Sequence, residues 1–277
     1  MPVTIPPPGQ FISIPTIPNL RDLGGWRTPQ GRVMRGILYR SAQFSALSGP
    51  DSDRFAELGI KTVFDMRTAD EREHQPSALP EGTRGVVVDI LEDATGAAPA
   101  ELFSVLGDPV AAQEMLGGGR AVTLFTSAYK QIVNLASARI GYHRFYTALL
   151  DTKALPAVFH CTTGKDRTGW AAAALLLLLG VDYDDVLEDY LLTNAQLLPS
   201  LQGLLDDFES AGGDPALLLP VLGVQREYLD AALAEMTAMF GTVENYFMSG
   251  LGLTEADIAL LRLTLIEFDG SADADAD

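Results

Sequence analysis

The stretch His160-Cys161-Thr162-Thr163-Gly164-Lys165-Asp166-Arg167-Thr168-Gly169 constrains this chain more than any other. The apolar run Leu155 to Phe159 before it reads as a buried strand, and Thr168 to Leu179 after it reads as a helix stopped by Gly180. A strand that turns through a tight, Gly-containing loop into a helix gathers backbone N–H groups at the helix N-terminus. That arrangement is an anion cradle, and its positive field favours the ionised form of a thiol placed at its centre. Arg167, six positions after Cys161, can fork onto two oxygens of a bound phosphate. A nucleophile, an anion hole and a cationic clamp thus fall within one loop.

Cys161 is the only cysteine among 277 residues. An intramolecular disulfide and a cysteine zinc site are thereby excluded, and Cys161 is the only possible thiol nucleophile. A lone cysteine serving as a small hydrophobe would have apolar neighbours, whereas Cys161 is followed by six mostly polar residues. His74, His143 and His160 show no metal-ligand spacing, and no cofactor or metal motif is visible. The net charge of −18 argues against nucleic acid and against docking on anionic lipid. No secretory signal is visible at the N-terminus, and the longest apolar run, Trp170 to Leu179, is too short to span a bilayer. A soluble, cytoplasmic protein is the default expectation, with signal-less export leaving no trace in sequence.

Short strands are predicted at Phe11–Ile17, Leu38–Ser41, Lys61–Met66 and Arg84–Leu91, the last as a buried one. A capped helix is predicted at Ser48–Leu58, short helical pieces at Ala100–Leu106 and Val110–Leu116, and longer helices at about 121–134 and 137–151. After Gly180 the pattern is helical throughout, near 184–196, 197–211, 223–240, 241–250 and 254–267. This order predicts an α/β fold with a sheet layered between helices. Residues 11–268 are expected to form a single domain, with an extended arm expected at 1–10 and a disordered acidic tail at 269–277.

The segment His160 to Gly169 resembles the signature of cysteine-dependent protein phosphatases. The chain as a whole is similar to the atypical bacterial tyrosine phosphatases, the family typified by the secreted mycobacterial protein tyrosine phosphatase B. The resemblance extends to Asn19-Leu20-Arg21-Asp22-Leu23-Gly24-Gly25, Leu38-Tyr39-Arg40-Ser41, Leu58-Gly59-Ile60, Asp65-Met66-Arg67, Asp189-Tyr190-Leu191-Leu192-Thr193-Asn194 and Arg226-Glu227-Tyr228-Leu229. It implies a central, mostly parallel sheet flanked by helices, with a helical lid at about 195–250. It also implies phosphotyrosine as substrate, with phosphoserine, phosphothreonine and phosphoinositides accepted by some members. Lys165 and Asp166 are associated with that breadth, and Arg40 and Tyr129 with substrate contact.

Cleavage of a phosphate ester by cysteine needs a thiolate, stabilisation of spreading charge, and a proton for the leaving oxygen. Cys161 is the candidate nucleophile and Arg167 the clamp. Thr162, Thr163, Gly164, Lys165 and Thr168 line the loop as phosphate-binding residues, with Thr168 contributing a hydroxyl near the thiol. The resemblance implies that the general acid lies in the segment Asp89 to Asp93, where it is sought first at Asp93, then at Asp89 and Glu92, with Asp166 as an in-loop alternative. His160 is expected to hydrogen-bond backbone around the loop, and Asp65 and Arg67 to brace it as a buried ion pair. The alternatives are a phosphoinositide phosphatase and a phosphate-binding pseudophosphatase. Sulfurtransferase and intramolecularly resolving arsenate reductase chemistries fit less well, the latter for want of further cysteines.

Overall fold

A computed structural model describes residues 6–94 and 107–269. The expected piece at Ala100–Leu106, most of the acidic tail and half of the N-terminal arm lie outside the described residues. The strands are β1 (Arg21–Asp22), β2 (Arg27–Thr28), β3 (Gly31–Val33), β4 (Leu38–Ser41), β5 (Thr62–Asp65), β6 (Arg84–Val87), β7 (Ala157–His160) and β8 (Ile266–Phe268). The main sheet runs β1-β4-β7-β5-β6. Three of its four pairings are parallel, and β1 meets β4 antiparallel. β7, which delivers Cys161, lies at the centre.

The helices are α1 (Gly49–Glu57), α2 (Ala69–His74), α3 (Pro109–Leu116), α4 (Arg120–Asn134), α5 (Ala136–Ala148), α6 (Arg167–Leu178), α7 (Tyr183–Leu197), α8 (Gln202–Ser210), α9 (Leu219–Leu222), α10 (Arg226–Phe240), α11 (Val243–Asn245) and α12 (Glu255–Leu265). α6 is buried along almost its whole length, from Arg167 to Leu178. Its Ala171 to Ala174 run allows close approach, while Trp170, Leu175, Leu176 and Leu178 fill the core. One large cluster joins β7, α5, α6 and the C-terminal helices, and a smaller one around Phe44, Phe55 and Val158 covers the opposite face of the sheet. No helix among the described residues is long and apolar enough to cross a membrane.

Three expectations need correction. Phe11–Ile17 is not a strand: it gives one isolated bridge, from Phe11 to Arg21, before turning. Pro15 and Pro18 lack the N–H groups a ladder needs. β6 is an exposed edge strand rather than a buried one, and burial begins beyond it at Val88 and Ile90. The C-terminal half is not wholly helical, because Ile266–Phe268 forms β8 and completes a second antiparallel sheet, β2-β3-β8. Its partners are more than 230 residues away in sequence, so local periodicity carries no trace of the pairing.

Candidate active site

Cys161 follows the last residue of β7 and is almost fully buried. The loop turns at Gly164, whose φ is +71°. A Cβ there would fall 2.2 Å from the Ser41 carbonyl oxygen, so both the conformation and the space require glycine. α6 begins at Arg167 with no side-chain cap at its N-terminus and no acidic residue in its first turn. Its free amides and helix dipole therefore face the loop, ready for an anion.

The loop is held from beneath by buried polar groups. Asn19, at φ +60°, donates from Nδ2 to the Thr163 and Gly164 carbonyls at 3.2 and 3.1 Å. Arg40 donates to the Gly164 carbonyl at 2.9 Å and to Asp189 at 2.6 Å, while Arg21 binds the same carboxylate at 3.0 Å. Burial opposes the Asp189 charge, but Arg21 and Arg40 hold its pKa below the ordinary value. Burial, with Arg40 nearby, brings Arg21 down to about 10 in spite of Asp189. Two guanidiniums thus share one carboxylate, which leaves positive charge beneath the Cys161–Arg167 loop. Arg40 is fully buried in this network.

On β7, His160 donates from Nδ1 to the Cys161 carbonyl at 2.9 Å and packs edge-on against Phe44. Burial lowers its pKa despite Asp65, which keeps the ring neutral at physiological pH. Asp65 and Arg67 form a buried pair at 2.7 Å, with Arg67 also donating to Gln43, Ser77 and the Gln75 carbonyl. Thr168 keeps a buried hydroxyl without a hydrogen-bond partner among the described residues. It stands in the first turn of α6, beside the loop that carries Cys161.

Arg167 does not stand alone. Its Nη1 and Nη2 donate to the two oxygens of Glu71 on α2, at 2.6 and 2.7 Å, and Nη1 also reaches the Met66 carbonyl at 3.3 Å. Burial disfavours the Arg167 charge, but Cys161 and Glu71 outweigh it and raise the pKa above its already high value. For Glu71 burial is likewise outweighed, chiefly by Arg167, bringing its pKa to about 2. Sequence reasoning missed Glu71. The signal was Thr68-x-x-Glu71, the capping box that opens α2.

Lys165 and Asp166 turn toward the helical side. Lys165 Nζ sits 2.8 Å from Asp166 Oδ1 and 4.1 Å from the centre of the Phe125 ring. Tyr129 donates to the same Asp166 oxygen at 2.9 Å and accepts from Tyr190 at 2.6 Å. Tyr228 packs against both Phe125 and Tyr129. Tyr129 is fully buried within this group.

The acid candidates separate clearly. Asp93 is tied to the start of α5, accepting from the Ser137 hydroxyl and, at 3.2 Å, from the Ser137 N–H. The Ser137 hydroxyl is the main cause of its lowered pKa. Asp89 follows β6, flanked by buried Val88 and Ile90, and is itself half-buried. Desolvation raises its pKa, and Leu91 N–H, Arg72 and Arg167 only partly oppose that shift. Glu92 adds a like charge nearby.

Comparison with known proteins agrees with this geometry. Residues 12–267 match the profile described as the tyrosine phosphatase family. A Cupriavidus necator protein bearing the name of a tyrosine-protein phosphatase is 33% identical over 254 residues, covering 91% of this chain and 86% of that one. The triple specificity protein phosphatase PtpB of Mycobacterium tuberculosis is 28% identical, covering 90% of this chain and 96% of its own. A tyrosine-protein phosphatase of Nostoc commune is 27% identical over 82% of this chain and 73% of its own. With a central, mostly parallel sheet, the Cys161–Arg167 loop at the end of its middle strand and a family match along nearly its whole length, this chain belongs to the tyrosine phosphatase family.

Proposed function

We propose that the chain hydrolyses phosphotyrosine and related phosphate monoesters through a cysteinyl-phosphate intermediate. The observation that carries this reading is the pairing of Cys161 and Arg167 on a loop closed by the uncapped N-terminus of α6. The Cys161 thiolate attacks phosphorus, and the P–O ester bond breaks. Loop amides and Arg167 carry the charge that spreads over the equatorial oxygens. The leaving oxygen takes a proton from a carboxylic acid, for which Asp89 is the best-suited candidate. Its raised pKa favours the protonated form that an acid must start from. Asp93, engaged by Ser137 and shifted the other way, suits a helix cap better than an acid. The ionised carboxylate then removes a proton from water, which attacks phosphorus. The S–P bond breaks, inorganic phosphate leaves, and the thiolate is regenerated.

The Thr168 hydroxyl, without a partner among the described residues, is suited to donate to that thiolate. Thr162, Thr163, Gly164 and Lys165 form the rest of the phosphate-binding loop, and Asp166 orders the Tyr129–Tyr190 pair. Helices within 195–250 serve as the lid, their Tyr228 supporting the aromatic wall beside Lys165. The name of the M. tuberculosis relative, a triple specificity phosphatase, supports a substrate range beyond phosphotyrosine. Hydrolysis of an aryl phosphate with chelator present, compared between wild type and Cys161→Ser, tests the reading. Turnover should persist in chelator and vanish in the variant, and activity surviving in Cys161→Ser would sink the mechanism.

A further inference from the structure

Arg72 stands on α2 with its side chain turned toward Asp89. Its Nη1 donates to the Arg67 carbonyl and lies 3.8 Å from Asp89 Oδ2. Arg67 is itself fixed to Asp65 by the buried pair at 2.7 Å, so the carbonyl that holds Arg72 belongs to a firm support. The two oxygens of Asp89 are therefore unequal. Oδ1 accepts from the Leu91 N–H at 3.0 Å, which leaves Oδ2, the oxygen facing Arg72, to carry a transferable proton.

A separation of 3.8 Å is too long for an N–H···O bond, so Arg72 does not occupy Oδ2. It is short enough for the charge to act. Asp89 is asked to release a proton to the leaving oxygen and then to take one from water, between buried Val88 and Ile90. Desolvation there disfavours the carboxylate, and a cation held at a fixed distance restores it without capturing the proton. The other charges around Asp89 are Arg167 at the start of α6 and Glu92 on its own segment. On β5, Asp65 is already paired with Arg67. α5 packs on the Asp89 carbonyl through uncharged Gly141, where a Cβ would fall 3.0 Å from that oxygen.

We propose that Arg72 is a positioning residue for the proton-transfer carboxylate, its guanidinium held by the Arg67 carbonyl so as to balance Asp89 between releasing a proton and taking one. The inference rests on the reading of Asp89 as the general acid given above. The test is the pH profile of kcat/KM for phosphotyrosine, whose alkaline limb reports ionisation of the acid in the free enzyme. Removing a cation makes a carboxylate hold its proton longer. Arg72→Gln should therefore move that limb up by about 0.5 to 1 pH unit. Arg72→Lys, which keeps the charge, should move it less than half as far. A profile already lacking the limb in Asp89→Asn should be unchanged in shape by adding Arg72→Gln.

An alkaline limb that stays in place or moves down in Arg72→Gln would overturn the proposal. So would an equal displacement in Arg72→Lys, which would trace the effect to the packing of α2 rather than to charge. Asp89→Asn, measured alongside, separates the two levels. A limb that persists in Asp89→Asn removes the assignment of the acid and the role of Arg72 with it. A limb lost in Asp89→Asn but unmoved in Arg72→Gln defeats only the role of Arg72.

Discussion

Asp89 and Asp93 lie four residues apart, yet their surroundings push them in opposite directions. Desolvation raises one, and the Ser137 hydroxyl lowers the other. Asp89→Asn should therefore lower kcat by about two decades on an alkyl phosphate, the usual range for a lost general acid. It should cost much less on an aryl phosphate with a good leaving group, and the alkaline limb of the kcat profile should disappear. Asp93→Ala should keep turnover and cost about 1 kcal/mol of stability, as for a lost helix cap. Reversal of these outcomes in a pH-rate and denaturation series would reassign the acid. Both carboxylates are plain in the sequence as candidates. What separates them is the position of Ser137, at the start of a helix 44 residues further on.

At the scale of elements, α5 and α6 are joined by two matching contacts. The Tyr142 hydroxyl donates to the Arg167 carbonyl at 3.0 Å, and the Tyr146 hydroxyl donates to the Ala171 carbonyl at 2.8 Å. The four-residue step on one helix meets a four-residue step on the other. Tyr142→Phe and Tyr146→Phe should each cost about 1 kcal/mol in urea unfolding, the net worth of such a bond. Only Tyr142→Phe should also lower kcat, since its partner carbonyl belongs to Arg167, the proposed phosphate clamp. Equal kcat in the two variants would show that the start of α6 is held without Tyr142. The helices themselves are legible from periodicity, and α6 from its unbroken apolar run. The three-residue strand β8 is not, because its stability comes from pairing with β3 rather than from its own composition.

The whole molecule carries a net charge of −18, yet its buried charged side chains are mainly cationic. Arg21, Arg40, Arg67, Lys165 and Arg167 are buried among the described residues, against Asp65 and Asp189. A phosphorylated substrate therefore meets long-range repulsion before short-range attraction. Added salt screens exposed charges more than buried ones, so kcat/KM for an acidic phosphopeptide should rise as ionic strength increases from a low value. A monotonic fall would show that the cationic site governs the encounter.

Acid should unfold the protein in two stages. His160 has a depressed folded pKa, so its contribution is full above its unfolded value of 6.5 and is lost as pH falls below that. Glu71, with a folded pKa of about 2 against an ordinary 4.5, contributes fully above 4.5 and loses that contribution as pH falls toward 2. Asp65 and Asp189 shift in the same direction. In both stages the unfolded chain binds more protons, so stability rises with pH through these windows. Urea midpoints measured from pH 8 to 3 check this, and a flat profile through pH 6 would remove the His160 contribution.

The sequence by itself determined the strand–loop–helix, the pairing of a sole cysteine with Arg167, the glycine at the turn and the α/β class. These are short-range properties, written in neighbouring residues and in the periods of strand and helix. Only the tertiary structure decided which carboxylate meets Arg167, which aspartate is desolvated, and that Arg40 and Tyr129 are buried supports. Glu71 and Arg167 are 96 residues apart, and Arg40 and Asp189 are 149 apart. Burial and charge pairing depend on which segments the sheet order brings together, and no local pattern encodes that distance.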